Sequence, residues 1–277
     1  MPQNELHSCP EIVSTSNSKV KEASKLRERK WRARSKTFLV EGKREVVRCV
    51  EAGYKLATLF VGPAKFAEFS SDLQDVVRAA IKERLVFSVS DAVLEKISLR
   101  QGEGIAAVFH YPDSISEFHL GEKPSIMILD GVEKPGNIGA IIRSCDGAGV
   151  DALFISQDGS DYDLYSPHLI RSSVGACFSF PVHILPKEKI YSLIVDTLKV
   201  PIYGAVLGKN TVDYRAADYS RGAAICLGSE ADGMDEYWKE RCRSLQIPMR
   251  GISDSLNVSV AAAVLAYESV RHRHTQG

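Results

Sequence analysis

Residues 125–150, SIMILDGVEKPGNIGAIIRSCDGAGV, decide the fold. The opening SIMILD is a short, nearly unbroken apolar run bounded by glycine, which reads as a strand buried on both faces. Gly131, Pro135 and Gly136 break the chain, Asn137 stands where a helix N-cap belongs, and Ile138, Ile141, Ile142 and Cys145 recur at helical spacing. Strand, loop and helix in that order form the crest at which open α/β sheets place ligands. Arg143 lies off the apolar stripe about a turn and a half into the helix. Its guanidinium is either within reach of an anion at the crest or an ordinary surface charge of an amphipathic helix.

The same alternation continues towards the C-terminus. Strands are expected near 126–130, 151–156, 181–185, 202–207, 223–228 and 244–248, with helices near 138–148, 167–177, 187–199, 234–241 and 257–272. Two of the crests stand out. In AAICLGSEADGM, residues 223–234, a buried strand breaks at Gly228-Ser229-Glu230 and again at Gly233. Glycine there lets a ligand approach the backbone, and Glu230 offers a carboxylate to an arginine, a hydroxyl or a cation; an ordinary strand-to-helix turn has the same composition. In SLQIPMRGISDSLNVSVAAAVLAYE, residues 244–268, a strand ends at Pro248 and Ser255-Leu256-Asn257 opens a helix. Small residues at 259, 261, 262 and 263 allow that helix to pack closely on another helix or on a partner subunit.

Towards the N-terminus, TFLV, LATLFV, LVFSV and GIAAVFH alternate with helical patterns near 43–52, 71–84 and 90–98. This predicts a second α/β domain of about 100 residues. The polar stretch YPDSISEFHLGEKP, residues 111–124, reads as a linker. GEGIAA at 102–107 matches GxGxxA only formally, because a helical pattern precedes it and a β-rich run follows, the reverse of a dinucleotide fingerprint. No P-loop sequence is present.

The chain has 277 residues and a composition, 44% hydrophobic and 25% charged, that supports a soluble globular protein of one or two domains. Six scattered cysteines form no CxxC pair, which predicts a reducing, cytoplasmic setting. Residues 1–18 lack an apolar core, so no secretory signal is expected, while a short Ser-rich organellar leader stays open. His110, His119, His168, His183, His272 and His274 show no metal-ligand spacing, and Asp146, Asp158 and Asp161 read as ordinary loop or helix acids.

Lys+Arg and Asp+Glu balance at 35 each, a sum that taken alone disfavours nucleic acid. The sum conceals an uneven distribution. Between Lys19 and Arg48 twelve Lys/Arg face four Asp/Glu, densest in KLRERKWRARSK. Such a stretch, with Trp31 among Lys30, Arg32 and Arg34, holds phosphates and stacks a base, or else forms a solvated basic helix.

Taken together and in order, the three crests resemble the three motifs of the SpoU/TrmH family of RNA ribose 2′-O-methyltransferases, within the SPOUT superfamily. The first matches through Asn137, Gly139, Arg143 and Gly149. The second matches through Gly228-Ser229-Glu230 and Gly233, and the third through Ile247-Pro248-Met249 and Ser255-Leu256-Asn257-Val258-Ser259. The first half, including FLVEGKREV, is similar to the L30e-like RNA-binding domain that often precedes this catalytic domain.

The resemblance implies a flexible N-terminus (1–16), an L30e-like α/β substrate-binding domain (17–112), a linker (113–123) and a SPOUT α/β methyltransferase domain (124–277) with a deep trefoil knot, a rare exception to unknotted topology. It implies S-adenosyl-L-methionine as cofactor, held largely by backbone groups around Leu207, Gly208, Gly228, Ile247, Met249 and Leu256, and a homodimer whose interface includes the knotted region. Arg143 takes the place of the family's catalytic arginine, with Asn137, Glu230 and Asn257 supporting it; whether the arginine acts as base or phosphate clamp stays open. Lys30, Trp31, Arg32, Arg34 and Arg171 are the expected RNA contacts, and for Arg171 an exposed helix face is the other reading. The expected substrate is large-subunit rRNA, with tRNA as an alternative and a non-catalytic RNA-binding or assembly factor as a third.

Overall fold

Strands such as TFLV and LATLFV lack polar alternation because helices cover both faces of the sheet they enter. The computed structural model describes residues 2–99, 102–112, 120–157, 159, 162–206, 208, 211–230 and 232–273. It divides into two units, one of Met1–Ser116 with Asp163–Ser179 and one of Glu117–Tyr162 with Phe180–Gly277.

In the first unit five strands, β1 (Glu11–Ile12), β2 (Thr37–Glu41), β3 (Leu56–Val61), β4 (Val86–Val89) and β5 (Ile105–His110), form a mixed sheet in the order β1-β4-β3-β5-β2. β5 runs antiparallel to both its neighbours, and the other pairs are parallel. Alternate residues of β2 face opposite layers. Phe38 and Val40 pack with Val46 and Cys49 of α3 (Lys43–Glu51) and Leu73 and Val77 of α5 (Ser71–Lys82). Leu39 packs on the other face with Val20 and Ala23 of α1 (Ser18–Lys25) and Val93 and Ile97 of α6 (Asp91–Ile97).

The basic stretch forms α1 and a second short helix, α2 (Arg29–Ser35); a further short helix, α4 (Pro63–Phe66), follows β3. The helix expected over 167–177 is shorter: α8 (Pro167–Ser173) stops where Val174 and Gly175 adopt positive φ of 53° and 79°. Its Ile170, with Phe178 beyond it, completes the Phe38 side of the core.

The second unit is a seven-stranded, all-parallel sheet. Its strands are β6 (Ser125–Asp130), β7 (Ala152–Gln157), β8 (Val182–Pro186), β9 (Ile202–Ala205), β10 (Val212–Asp213), β11 (Ala223–Leu227) and β12 (Arg243–Gln246), in the order β10-β12-β9-β11-β6-β7-β8. One face packs Ile126, Ile128, Phe154 and Cys226 against Ile190, Ile194 and Trp238. These last three come from α9 (Lys187–Ser192), the π turn Leu193–Thr197 that replaces the rest of the helix expected to 199, and α10 (Glu236–Lys239). On the opposite side α11 (Val258–Val270) packs on α7 (Pro135–Ala148) and on β6.

The strand order places the site. β7 and β8 leave β6 on one side, whereas β11 and β9 lie on the other, so the strand order reverses between β6 and β11 while all strands stay parallel. Those two strands end level with each other, Leu227 opposite Leu129. Across β9 the same level is kept, with Ala205 opposite both Leu227 and Leu245.

Candidate active site

Pro135 is the first residue of α7, where its missing N–H and fixed φ cost nothing. Asn137 is therefore not the N-cap that the sequence suggested; Lys134 occupies that position without a side-chain cap, and Asn137 lies in the first turn. This frees its amide for another task. Asn137 Nδ2 donates to Glu230 Oε1 at 2.8 Å.

Glu230 is presented by a tight return of the chain after β11. Ser229 N donates to Gly233 O at 2.9 Å and Gly233 N to Ser229 O at 3.2 Å, while Asp232 N bonds Ser229 Oγ at 3.0 Å. A Cβ on Gly228 would lie 2.2 Å from Gly233 C and Met234 N. Glycine is thus required at this position by the loop's own backbone. The far side of the loop is pinned to β6, where buried Asp130 accepts from Asp235 N at 2.7 Å, and Asp235 pairs with Lys187 and caps α10.

Asn257 does cap its helix. Its Oδ1 accepts from Ser259 N at 2.9 Å and from Ser259 Oγ at 2.6 Å, which fixes the side chain so that Nδ2 points to Glu230 Oε1, 2.9 Å away. The second carboxylate oxygen of Glu230 pairs with Lys134, a residue that sequence reasoning passed over. Lys134, together with the hydrogen bond from Asn137, holds the Glu230 carboxyl below its ordinary range. The three crests thus meet on one carboxylate. The first two of them border a cleft of about 590 Å³ whose lining includes Asp130, Lys134, Asn137, Ser229, Glu230 and Met234.

Arg143 is exposed on α7 and makes no hydrogen bond or ion pair among the described residues. Six residues beyond Asn137, it stands about 9 Å further along the helix axis at 1.5 Å per residue. Ile138, Ile141, Ile142 and Cys145 are buried as their spacing required.

Leu207 lies outside the described residues, as do His119, Asp158, Asp161 and His274. Gly208, Gly228, Ile247 and Met249 follow the level ends of β9, β11 and β12, and Val206 N bonds Leu245 O at 2.9 Å, tying two of these exits together. Gly228, Ile247, Met249 and Leu256 are half-buried. Backbone and small apolar groups gathered at neighbouring strand ends suit a nucleoside with a flat base and a polar ribose. Among the described residues no cluster of His, Cys, Asp or Glu has metal-holding geometry.

The expected RNA contacts all fall in the first unit. Lys30, Arg34 and Arg171 are exposed and Trp31 is half-buried. Arg32 is different: it is 3% exposed, donates to Leu26 O and pairs with Asp163, so it is an internal tie of the unit and not an RNA-facing side chain. In the sequence it is indistinguishable from its basic neighbours; its partner lies 131 residues away.

The chain matches the SpoU rRNA Methylase family over residues 124–267 and an MRM3-like substrate binding domain over residues 17–107. It is similar to the 23S rRNA (guanosine(2553)-2'-O)-methyltransferase RlmP of Bacillus subtilis (strain 168), 33% identical over 261 residues covering 93% of this chain and 98% of that one. It is also similar to the 23S rRNA (uridine(2479)-2'-O)-methyltransferase of Streptomyces viridochromogenes, 29% identical over 252 residues covering 88% and 86%. Among solved structures, an RNA 2'-O ribose methyltransferase superposes with a TM-score of 0.82 at 34% identity, covering 95% of this chain and 99% of that one. An AdoMet-bound rRNA methyltransferase from Sinorhizobium meliloti does so with a TM-score of 0.81 at 26% identity, covering 95% and 98%.

Proposed function

The chain belongs to the SpoU rRNA methylase family, and from that premise we propose that it methylates a ribose 2′-hydroxyl of large-subunit rRNA. The observation that carries this reading is the meeting of Asn137, Glu230 and Asn257 from three separate crests at the reversal point of a parallel sheet. S-adenosyl-L-methionine supplies the methyl group when bound. Gly208, Gly228, Ile247, Met249 and Leu256 are the residues assigned to hold it.

Arg143 is assigned to the target nucleotide. A guanidinium is a poor base, so its work is to clamp a phosphate beside the reacting ribose while the hydroxyl proton passes to a phosphate oxygen or water. Exposed and without a partner among the described residues, Arg143 suits a cation kept for a substrate anion. Glu230 is a positioning residue: it fixes Asn137 and Asn257, and a hydroxyl held in line gains much of its rate from orientation.

In this reading the first unit holds RNA through Lys30, Trp31, Arg34 and Arg171, and the second unit carries the trefoil knot. A homodimer fits the apolar side chains that α11 leaves exposed, Val260 at 48% and Tyr267 at 58%. No described helix is long and apolar enough to cross a membrane, and the six cysteines are unpaired, as suits the reducing cytoplasm. The test is transfer of labelled methyl to separately purified rRNA and tRNA pools: label in rRNA that protects one phosphodiester from alkali is expected, label confined to tRNA selects the alternative substrate, and no label in either removes the enzymatic reading.

A further inference from the structure

We propose that Trp31 and the cations around it form a docking platform for single-stranded RNA, one unpaired base stacking on the indole and the adjoining phosphates pairing with Lys25, Lys30 and Arg34. This rests on the RNA-directed reading of the first unit and adds to it the conformation of the strand and the residue that engages its base.

The geometry is specific to one face of α2. Lys25 Nζ stands 4.6 Å from the centroid of the Trp31 ring, Arg34 Cζ 5.7 Å and Lys30 Nζ 5.9 Å. Three positive charges therefore surround one ring. Lys30 pairs with Glu28 at 2.8 Å, but Lys25 and Arg34 have no carboxylate partner among the described residues. Exposed cations held together without anions favour an anionic ligand, and transferring them from the ring to phosphates uncovers the indole for a base.

The ring is not part of the fold's interior. Phe38, Phe60 and Phe109 of the same unit are at most 1% exposed, whereas Trp31 is half-buried and belongs to neither apolar cluster of that unit. The opposite side of α2 is fixed by Arg32, buried against Leu26 O and Asp163, so the helix is anchored on one side and offers Lys30, Trp31 and Arg34 on the other. Duplex RNA keeps its bases stacked inside the helix and presents no free π face, which selects a single strand, loop or bulge.

The chain contains two tryptophans, and Trp238 is completely buried in the other unit, so emission changes on RNA binding report Trp31. The full chain is titrated with a labelled 12-nucleotide single strand and with the corresponding duplex, reading anisotropy for binding and tryptophan emission for stacking. The single strand is expected to quench emission and bind more tightly than the duplex. Trp31→Ala is expected to weaken it by about 5- to 150-fold and Trp31→Phe by much less, as for loss of one stacked base. Neutralising Lys25, Lys30 and Arg34 together is expected to reduce the slope of log K against log salt by about 2, from three phosphates at roughly 0.7 each. Unmoved emission at saturation, binding of Trp31→Ala within twofold of wild type, or equal affinity for duplex overturns the platform even where methyl transfer to rRNA is intact. Quenching with all the expected losses, in a chain that transfers no methyl, supports the platform and removes the methyltransferase reading instead.

Discussion

Asn137 and Asn257, 120 residues apart in the sequence, donate their side-chain amides to the same oxygen of Glu230, at 2.8 and 2.9 Å. One amide comes from the first turn of α7 and the other from the cap of α11, so the carboxylate ties together helices that follow two different crests. Its other oxygen is taken by Lys134. Each partner is exposed enough to exchange with water, so the value of the arrangement is orientation more than stability.

Glu230→Ala removes the shared acceptor from both amides. The expected outcome is a fall in kcat of about a hundredfold, the scale of a small misplacement of a reacting group, with KM for S-adenosyl-L-methionine changed far less. Steady-state kinetics on rRNA checks it.

Lys134→Met takes away the main influence that keeps the Glu230 carboxyl below its ordinary range. A carboxylate depressed in the folded protein keeps its charge until the pH falls to its low pKa. Without Lys134 that pKa rises, so the acid limb of kcat/KM is expected to move to higher pH, and Lys134→Arg is expected to restore its position. A pH profile of the three proteins decides between this and a Lys134 that merely solvates the surface.

Gly228→Ala places a methyl group 2.2 Å from the Gly233–Met234 backbone, a clash that rotamer change cannot relieve. A loss of about 1–3 kcal/mol in urea denaturation is expected, together with loss of activity as the Glu230 loop shifts.

Arg32 and Arg34 lie two residues apart and are expected to behave oppositely. Arg32→Met leaves Asp163, itself 13% exposed, without its cation and is expected to cost about 3–5 kcal/mol, as for breaking a buried ion pair. Arg34→Ala is expected to leave stability unchanged within about 0.5 kcal/mol while weakening RNA binding. Denaturation curves for both variants, set beside RNA titrations, separate the two roles.

These contrasts also mark what local reading of the chain can reach. The buried strands, α7 and α11 were legible because hydrophobic period and helix-opening residues act over a few positions: Ile138, Ile141, Ile142 and Cys145 are buried together as their spacing demanded. The same local logic misplaced the start of α7, since Asn137 has the chemistry of a cap but Pro135 had already begun the helix. The motif resemblance named Asn137, Glu230 and Asn257, yet their common oxygen is a product of strand order, which no short window contains. Lys134 and Arg32 were unreadable for the same reason, because each takes its meaning from a distant carboxylate, Glu230 or Asp163.

Mapping ribose 2′-O-methylation across the rRNA of cells with and without this protein decides whether it is an rRNA methyltransferase. One site in large-subunit rRNA is expected to disappear when the protein is absent and to return with the wild-type chain but not with Arg143→Ala. A methylation map that is the same in both cells rules out rRNA ribose methylation by this chain.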